Sequence, residues 1–227
     1  MNTPTRGICM FPLAQTKRNI TKYTLICPTK SGGTVTCDYF NKHYYKHFVF
    51  SNKQQCIHRD ICTNVNNPIL IVRDVKDRFL SMYKYWKNGS EKWKRTNDWK
   101  KTHKNTTILD FIRMLKENDK SLITEFTWEQ HYHNTSNWIK PGTNYKNIII
   151  VKYEKNLEKK IHLLLNNLNI PNKNIPLPVV NKTIPCQDEK AILESEEVNR
   201  FIHEYFKKDI EFHKTIETHP ELFKMII

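Results

Sequence analysis

Two stretches of the chain carry residue types and spacings suited to holding an anion. Lys30-Ser-Gly-Gly-Thr-Val-Thr36 follows a short apolar run, Tyr23 to Cys27, and sets two of the chain's 5 glycines side by side. A glycine backbone can take positive φ and lie close to a ligand, so successive N–H groups converge on one concavity. A helix opening near Thr34 or Thr36 adds unpaired N–H groups and its positive dipole end. Lys30 brings a full charge, and Ser31, Thr34 and Thr36 bring hydroxyls. Taken alone, such a loop is often only a tight turn. It is not a Walker A loop, whose lysine follows the glycines; here Lys30 precedes Gly32 and Gly33. A nucleotide kinase, which would need ATP and Mg²⁺, is the weaker reading for that reason.

The second stretch is Asn67 to Tyr83, an apolar run from Ile69 to Val72 that leads straight into a charged helix start. Arg73 falls at the carboxyl end of the expected strand. Ser81 comes eight residues later, about two helical turns along one face. The spacing lets both address one phosphate.

Lys-Ser-Gly-Gly-Thr-Val-Thr from Lys30 and Val-Arg-Asp-x-x-x-Arg-Phe-x-Ser-x-Tyr from Val72 resemble the two signatures of sulfotransferases that use 3′-phosphoadenosine 5′-phosphosulfate. The carbohydrate branch, with its Pro-Lys-Thr-Gly-Gly-Thr loop, is the nearest in pattern. Thr29 is extra between Pro28 and Lys30, and Val75 stands where the second signature often has Pro. The likeness extends along most of the chain, through Asn147 to Glu154 with its Tyr-Glu ending, Val180-Asn-Lys-Thr183, and, loosely, Tyr205 to Phe212. It implies a P-loop-NTPase-like sulfotransferase fold. It also implies that Lys30, Ser31, Gly32, Gly33, Thr34 and Val35 hold the 5′-phosphosulfate and Arg73 and Ser81 the 3′-phosphate. Tyr153 and Lys182 complete the implied nucleotide set, and no metal is called for. The implied acceptor is a hydroxyl, foremost on a glycan, anionic glycans included, with a small alcohol, a phenol or a tyrosyl peptide as alternatives.

Sulfuryl transfer is an in-line displacement governed by positioning and charge stabilisation, as phosphoryl transfer is. Lys30 is placed to stabilise charge on the leaving phosphate. The acceptor needs a base, for which His58 is the first candidate, with Glu129 and His131 behind it; the chain has 10 histidines, most of which must serve packing or the surface. Cys56-x-His58 with Cys62, and His131-x-His133, lack the second pair that a zinc site requires.

The net charge of +14 favours polyanions in general and decides nothing among them. Between Lys84 and Asn105 basic residues interleave with Trp86, Trp93 and Trp99. Exposed indoles there would stack on sugars or on single-stranded bases; buried ones would pin a solvated loop to the core. A basic nucleic-acid-binding protein without transfer activity is therefore the reading from a different class.

Cys9, Cys27, Cys37, Cys56, Cys62 and Cys186 form no CxxC pair and read as reduced thiols. No apolar run reaches the length of a membrane span or of a signal-peptide core. Together with the early position of the loop, these features predict a soluble, cytoplasmic protein. Five Asn-x-Ser/Thr sequons, at Asn19, Asn88, Asn105, Asn134 and Asn181, favour the alternative, a Golgi-lumenal ectodomain. Oligomeric state is not legible.

The elements that must position these residues follow from periodicity. Strands are expected at Tyr23–Cys27, His47–Phe50, Ile69–Val72 and Ile148–Val151. Helices are expected from Thr34 to Tyr45, from Val75 to Trp86, after the Thr107-x-x-Asp110 capping box, over the Leu157, Ile161, Leu164, Leu165 and Leu168 period, and last at Val198 to Phe206. Strands alternating with helices predict an α/β fold with a central parallel sheet flanked by helices. One domain, 1–227, is expected, with an irregular lead-in (1–20) and a basic Trp-rich insertion (87–105).

Overall fold

Ile69, Leu70, Ile71 and Val72 are consecutive and each is at most 1% exposed, as a strand covered on both faces requires. In the computed structural model, which describes residues 21–28, 31–49, 67–89, 96–103, 105–117, 144–178 and 189–227, they form the heart of β3 (Pro68–Arg73). β1 (Tyr23–Ile26), β2 (Phe48–Val49), β4 (Ile149–Tyr153) and β5 (Met225–Ile226) complete a five-stranded sheet in the order β2-β1-β3-β4-β5. Every pairing is parallel.

Alternation along the strands separates the two faces of the sheet. Leu25, Ile69, Ile71, Ile149 and Val151 pack with α1 (Gly33–Tyr44) and α5 (Leu157–Asn167). Ile26, Leu70, Val72 and Ile150 pack with Phe212 and Ile216 of α8 (Lys207–Thr218). A third cluster joins α2 (Val75–Asn88), α4 (Ile108–Lys116), α6 (Glu189–Glu194) and α7 (Glu196–Tyr205) around Phe79, Trp86, Phe111 and Phe201. The architecture is thus α/β, a parallel sheet with helices on both faces.

Local chemistry sets the element ends. The Asp74 carboxylate caps α2 by accepting from the Asp77 N–H at 3.0 Å, so the helix springs directly from the end of β3. Gly89, at φ 77°, closes it. The Thr107–Asp110 capping box forms in both directions at the start of α4, as the sequence predicts.

Three expectations are corrected and one open alternative, the role of the indoles, is decided. The basic stretch is not wholly irregular, because α3 (Asn97–His103) lies within it. Its start is capped by Thr96, whose hydroxyl accepts from the Trp99 N–H at 3.2 Å. Trp86 and Trp99 are not stacking platforms: they are 1% and 9% exposed, cross edge to face, and are tied by a Trp99 Nε1–H bond to the Trp86 carbonyl at 3.2 Å. Trp93 lies outside the described residues. The helix expected at Val198 to Phe206 forms as α7 but is not the last element: α6 precedes it, and α8 and then β5, which pairs with β4, follow it. Cys37 on α1 is disulfide-bonded, where a reduced thiol is expected. Cys27 is a free thiol, and complete burial pushes its pKa up. Among the described residues, no helix is long and apolar enough to cross a membrane.

Candidate functional site

From β1 the chain passes to β2 on one side, and β3, β4 and β5 build out on the other. In open parallel sheets, ligands bind outside the strand carboxyl ends where the strand order reverses in this way. That point lies between β1 and β3. The Gly32–Gly33 turn that follows β1 and Arg73 at the end of β3 lie on that side of the sheet.

Gly32 takes the left-handed conformation, φ 84° and ψ 12°, and stands at the N-terminal cap of α1 without a side-chain cap. The first turn of α1 contains no acidic residue, so its positive end is not neutralised from within. Ser31 is fully buried. Its N–H donates to the Pro28 carbonyl at 3.1 Å, and its hydroxyl donates to the same oxygen. Thr36, also fully buried, donates its N–H at 3.2 Å and its hydroxyl at 3.0 Å to the Gly32 carbonyl. These two hydroxyls therefore shape the turn from behind. Val35 packs into the core below, leaving only its backbone for a ligand. Gly33 and Thr34 open α1.

The β3–β4 register sets Arg73 opposite Tyr153. The Arg73 guanidinium carbon stands 4.9 Å from the Tyr153 ring centroid. The edge of the same ring lies against Gly32: a Cβ added there would be 2.2 Å from Cε2 and 2.3 Å from Cδ2. Groups from the ends of β1, β3 and β4 thus meet at one place. The contact spans β3, since β1 and β4 do not adjoin. No family model, curated protein or solved structure matches the chain.

Ser81 is buried in α2 at 6% exposure, on the helix that Asp74 caps. Lys30, His58, Glu129, His131 and Lys182 lie outside the described residues. Among the described residues, no group of three or more His, Cys, Asp or Glu side chains could hold a metal ion.

Two tertiary features are absent from the sequence reading. Arg78 of α2 and Asp209 of α8 form a buried ion pair at 2.8 Å, each side chain 1% exposed. Burial lowers the Arg78 pKa and the Asp209 carboxylate opposes that. Both residues fall in segments quoted for the family likeness, but their meeting is a tertiary fact. His213 of α8 lies within electrostatic reach of Lys152. Burial pulls its pKa below the ordinary histidine value and Lys152 adds to this, while Asp209, Asp74 and Glu217 oppose it. Its Nε2 is buried without a hydrogen-bond partner among the described residues.

Proposed function

We propose that the chain is a sulfotransferase with a P-loop-like fold, moving a sulfuryl group from 3′-phosphoadenosine 5′-phosphosulfate to a hydroxyl, foremost on a carbohydrate. The observation that carries this reading is the meeting of Gly32, Arg73 and Tyr153 at the sheet's reversal point. A left-handed glycine at a helix start turns backbone N–H groups toward one phosphate end. An arginine from the next strand offers a charge-assisted fork to another. A nucleotide phosphorylated at both 3′ and 5′ positions suits two such anchors. In the reaction, the acceptor oxygen attacks sulfur, the bond from sulfur to the bridging phosphate oxygen breaks, and the acceptor proton passes to a base. The products are a sulfate ester and 3′-phosphoadenosine 5′-phosphate. Lys30 would neutralise charge on the leaving phosphate, and His58, Glu129 or His131 would take the proton.

The test is a thermal-shift titration with 3′-phosphoadenosine 5′-phosphate, without metal, beside ATP with Mg²⁺. A ligand that binds only the folded chain raises the melting temperature. Stabilisation specific to the bisphosphate and lost in Arg73→Ala supports the donor site. A shift with ATP and Mg²⁺ alone supports a kinase. No nucleotide shift, with steeply salt-dependent oligonucleotide binding, supports the nucleic-acid reading, from which the burial of Trp86 and Trp99 already removes two stacking surfaces.

A further inference from the structure

The Tyr153 ring is held on several sides. One edge rests on Gly32, which has no Cβ to displace it, and the ring packs on the apolar cluster beneath. Arg73, its cross-strand neighbour, covers a face at 4.9 Å, inside the roughly 6 Å reach of a cation–π contact. A base that stacks on an aromatic side chain needs an open π face. The face that Tyr153 turns to the end of β3 is already taken by the guanidinium.

We infer that Tyr153 is a positioning residue: its ring, braced by Gly32, orients the Arg73 guanidinium for an anion and does not serve as a stacking platform for the base. The identity of the anion as a nucleotide 3′-phosphate rests on the function proposed above; the positioning rests on the geometry. An arginine side chain spans several rotatable bonds, and a ring that helps hold its fork before the ligand arrives lowers the ordering cost of binding. The contact is made by the ring, so the phenol hydroxyl is dispensable and the π face is not.

Tyr153→Phe keeps the ring and Tyr153→Leu removes it. The first readout needs no nucleotide. Ring currents shift the Arg73 side-chain methylene protons upfield of those of an exposed arginine, the resonances being assigned by their loss in Arg73→Lys. The shift is expected in wild type and Tyr153→Phe and absent in Tyr153→Leu. The second readout is calorimetric affinity for 3′-phosphoadenosine 5′-phosphate relative to adenosine 5′-phosphate. Tyr153→Leu is expected to reduce that preference by roughly three- to thirtyfold, the span of a partly desolvated cation–π contact, while Tyr153→Phe retains it. Unshifted Arg73 protons in wild type, or equal weakening of both nucleotides in Tyr153→Leu with the preference intact, would overturn the inference. Failure of wild type to bind either nucleotide would remove the proposed function, and the arginine resonances would still decide the positioning.

Discussion

Replacing Gly32 with alanine adds one carbon where the loop meets Tyr153. Two costs follow. At φ 84° a non-glycine residue carries roughly 1–3 kcal/mol of backbone strain. The new Cβ, 2.2 Å and 2.3 Å from two ring carbons, also forces the ring off its rotamer, about 0.5–1.5 kcal/mol. Together they destabilise the chain by roughly 2–4 kcal/mol. At about 2–4 °C per kcal/mol for a chain of this size, the melting temperature drops by roughly 5–15 °C in thermal unfolding followed by circular dichroism. Gly33→Ala is the control. Gly33 is the first residue of α1 and lacks a positive φ, and alanine favours a helix over glycine by up to about 1 kcal/mol, so that variant should be neutral or slightly more stable. The double variant Gly32→Ala/Tyr153→Ala removes the ring that the Cβ strikes, and its loss should fall short of the sum of the single losses by about the rotamer cost. A Gly32→Ala melt within about 2 °C of wild type, or strict additivity in the double variant, would refute the reasoning.

Three further outcomes follow from the packing. Arg78→Met removes the buried Asp209 carboxylate's ion-pair partner and should cost about 3–5 kcal/mol in urea unfolding, whereas Arg78→Met/Asp209→Leu should recover most of it; a double variant as unstable as the single would count against the pair. Trp99→Ala removes a buried indole and should cost roughly 3–5 kcal/mol; retained stability with weakened polyanion binding would instead mark Trp99 as a contact residue. His213 has a folded-state pKa below its unfolded value, chiefly through burial, so the unfolded chain binds more protons as acid is added. The stability it contributes is present above the unfolded pKa near 6.5 and is lost as pH falls below it. Urea midpoints between pH 7.5 and 5.5 should therefore fall less in His213→Gln than in wild type, and parallel slopes would exclude His213 as the source.

Residues whose role depends on near neighbours were legible in the sequence. The apolar run Ile69 to Val72 is a buried strand because a strand covered on both faces needs no alternation, and it is so placed. Thr107 and Asp110 are three residues apart and cap each other. The Gly32 turn and Arg73 at the end of β3 were recognisable from residue type and local order. The Thr96 cap of α3 was also present as a signal, with Asp98 following it, but a seven-residue helix with one buried side chain has no apolar period to read.

What the chain order alone determined, then, is the set of local pieces: strands, caps, a glycine turn and a strand-ending arginine, each specified by interactions within a few residues. Only the tertiary structure decided what those pieces meet. The reversal of strand order places β1 beside β3, and the β3–β4 register sets Tyr153 on Arg73. The return of α8 to the sheet and to α2 buries Asp209 against Arg78. Burial of Trp86 and Trp99 turns apparent binding groups into core. Each of these rests on contacts between residues far apart in sequence, where the energy comes from burial and register and no local pattern records the partner.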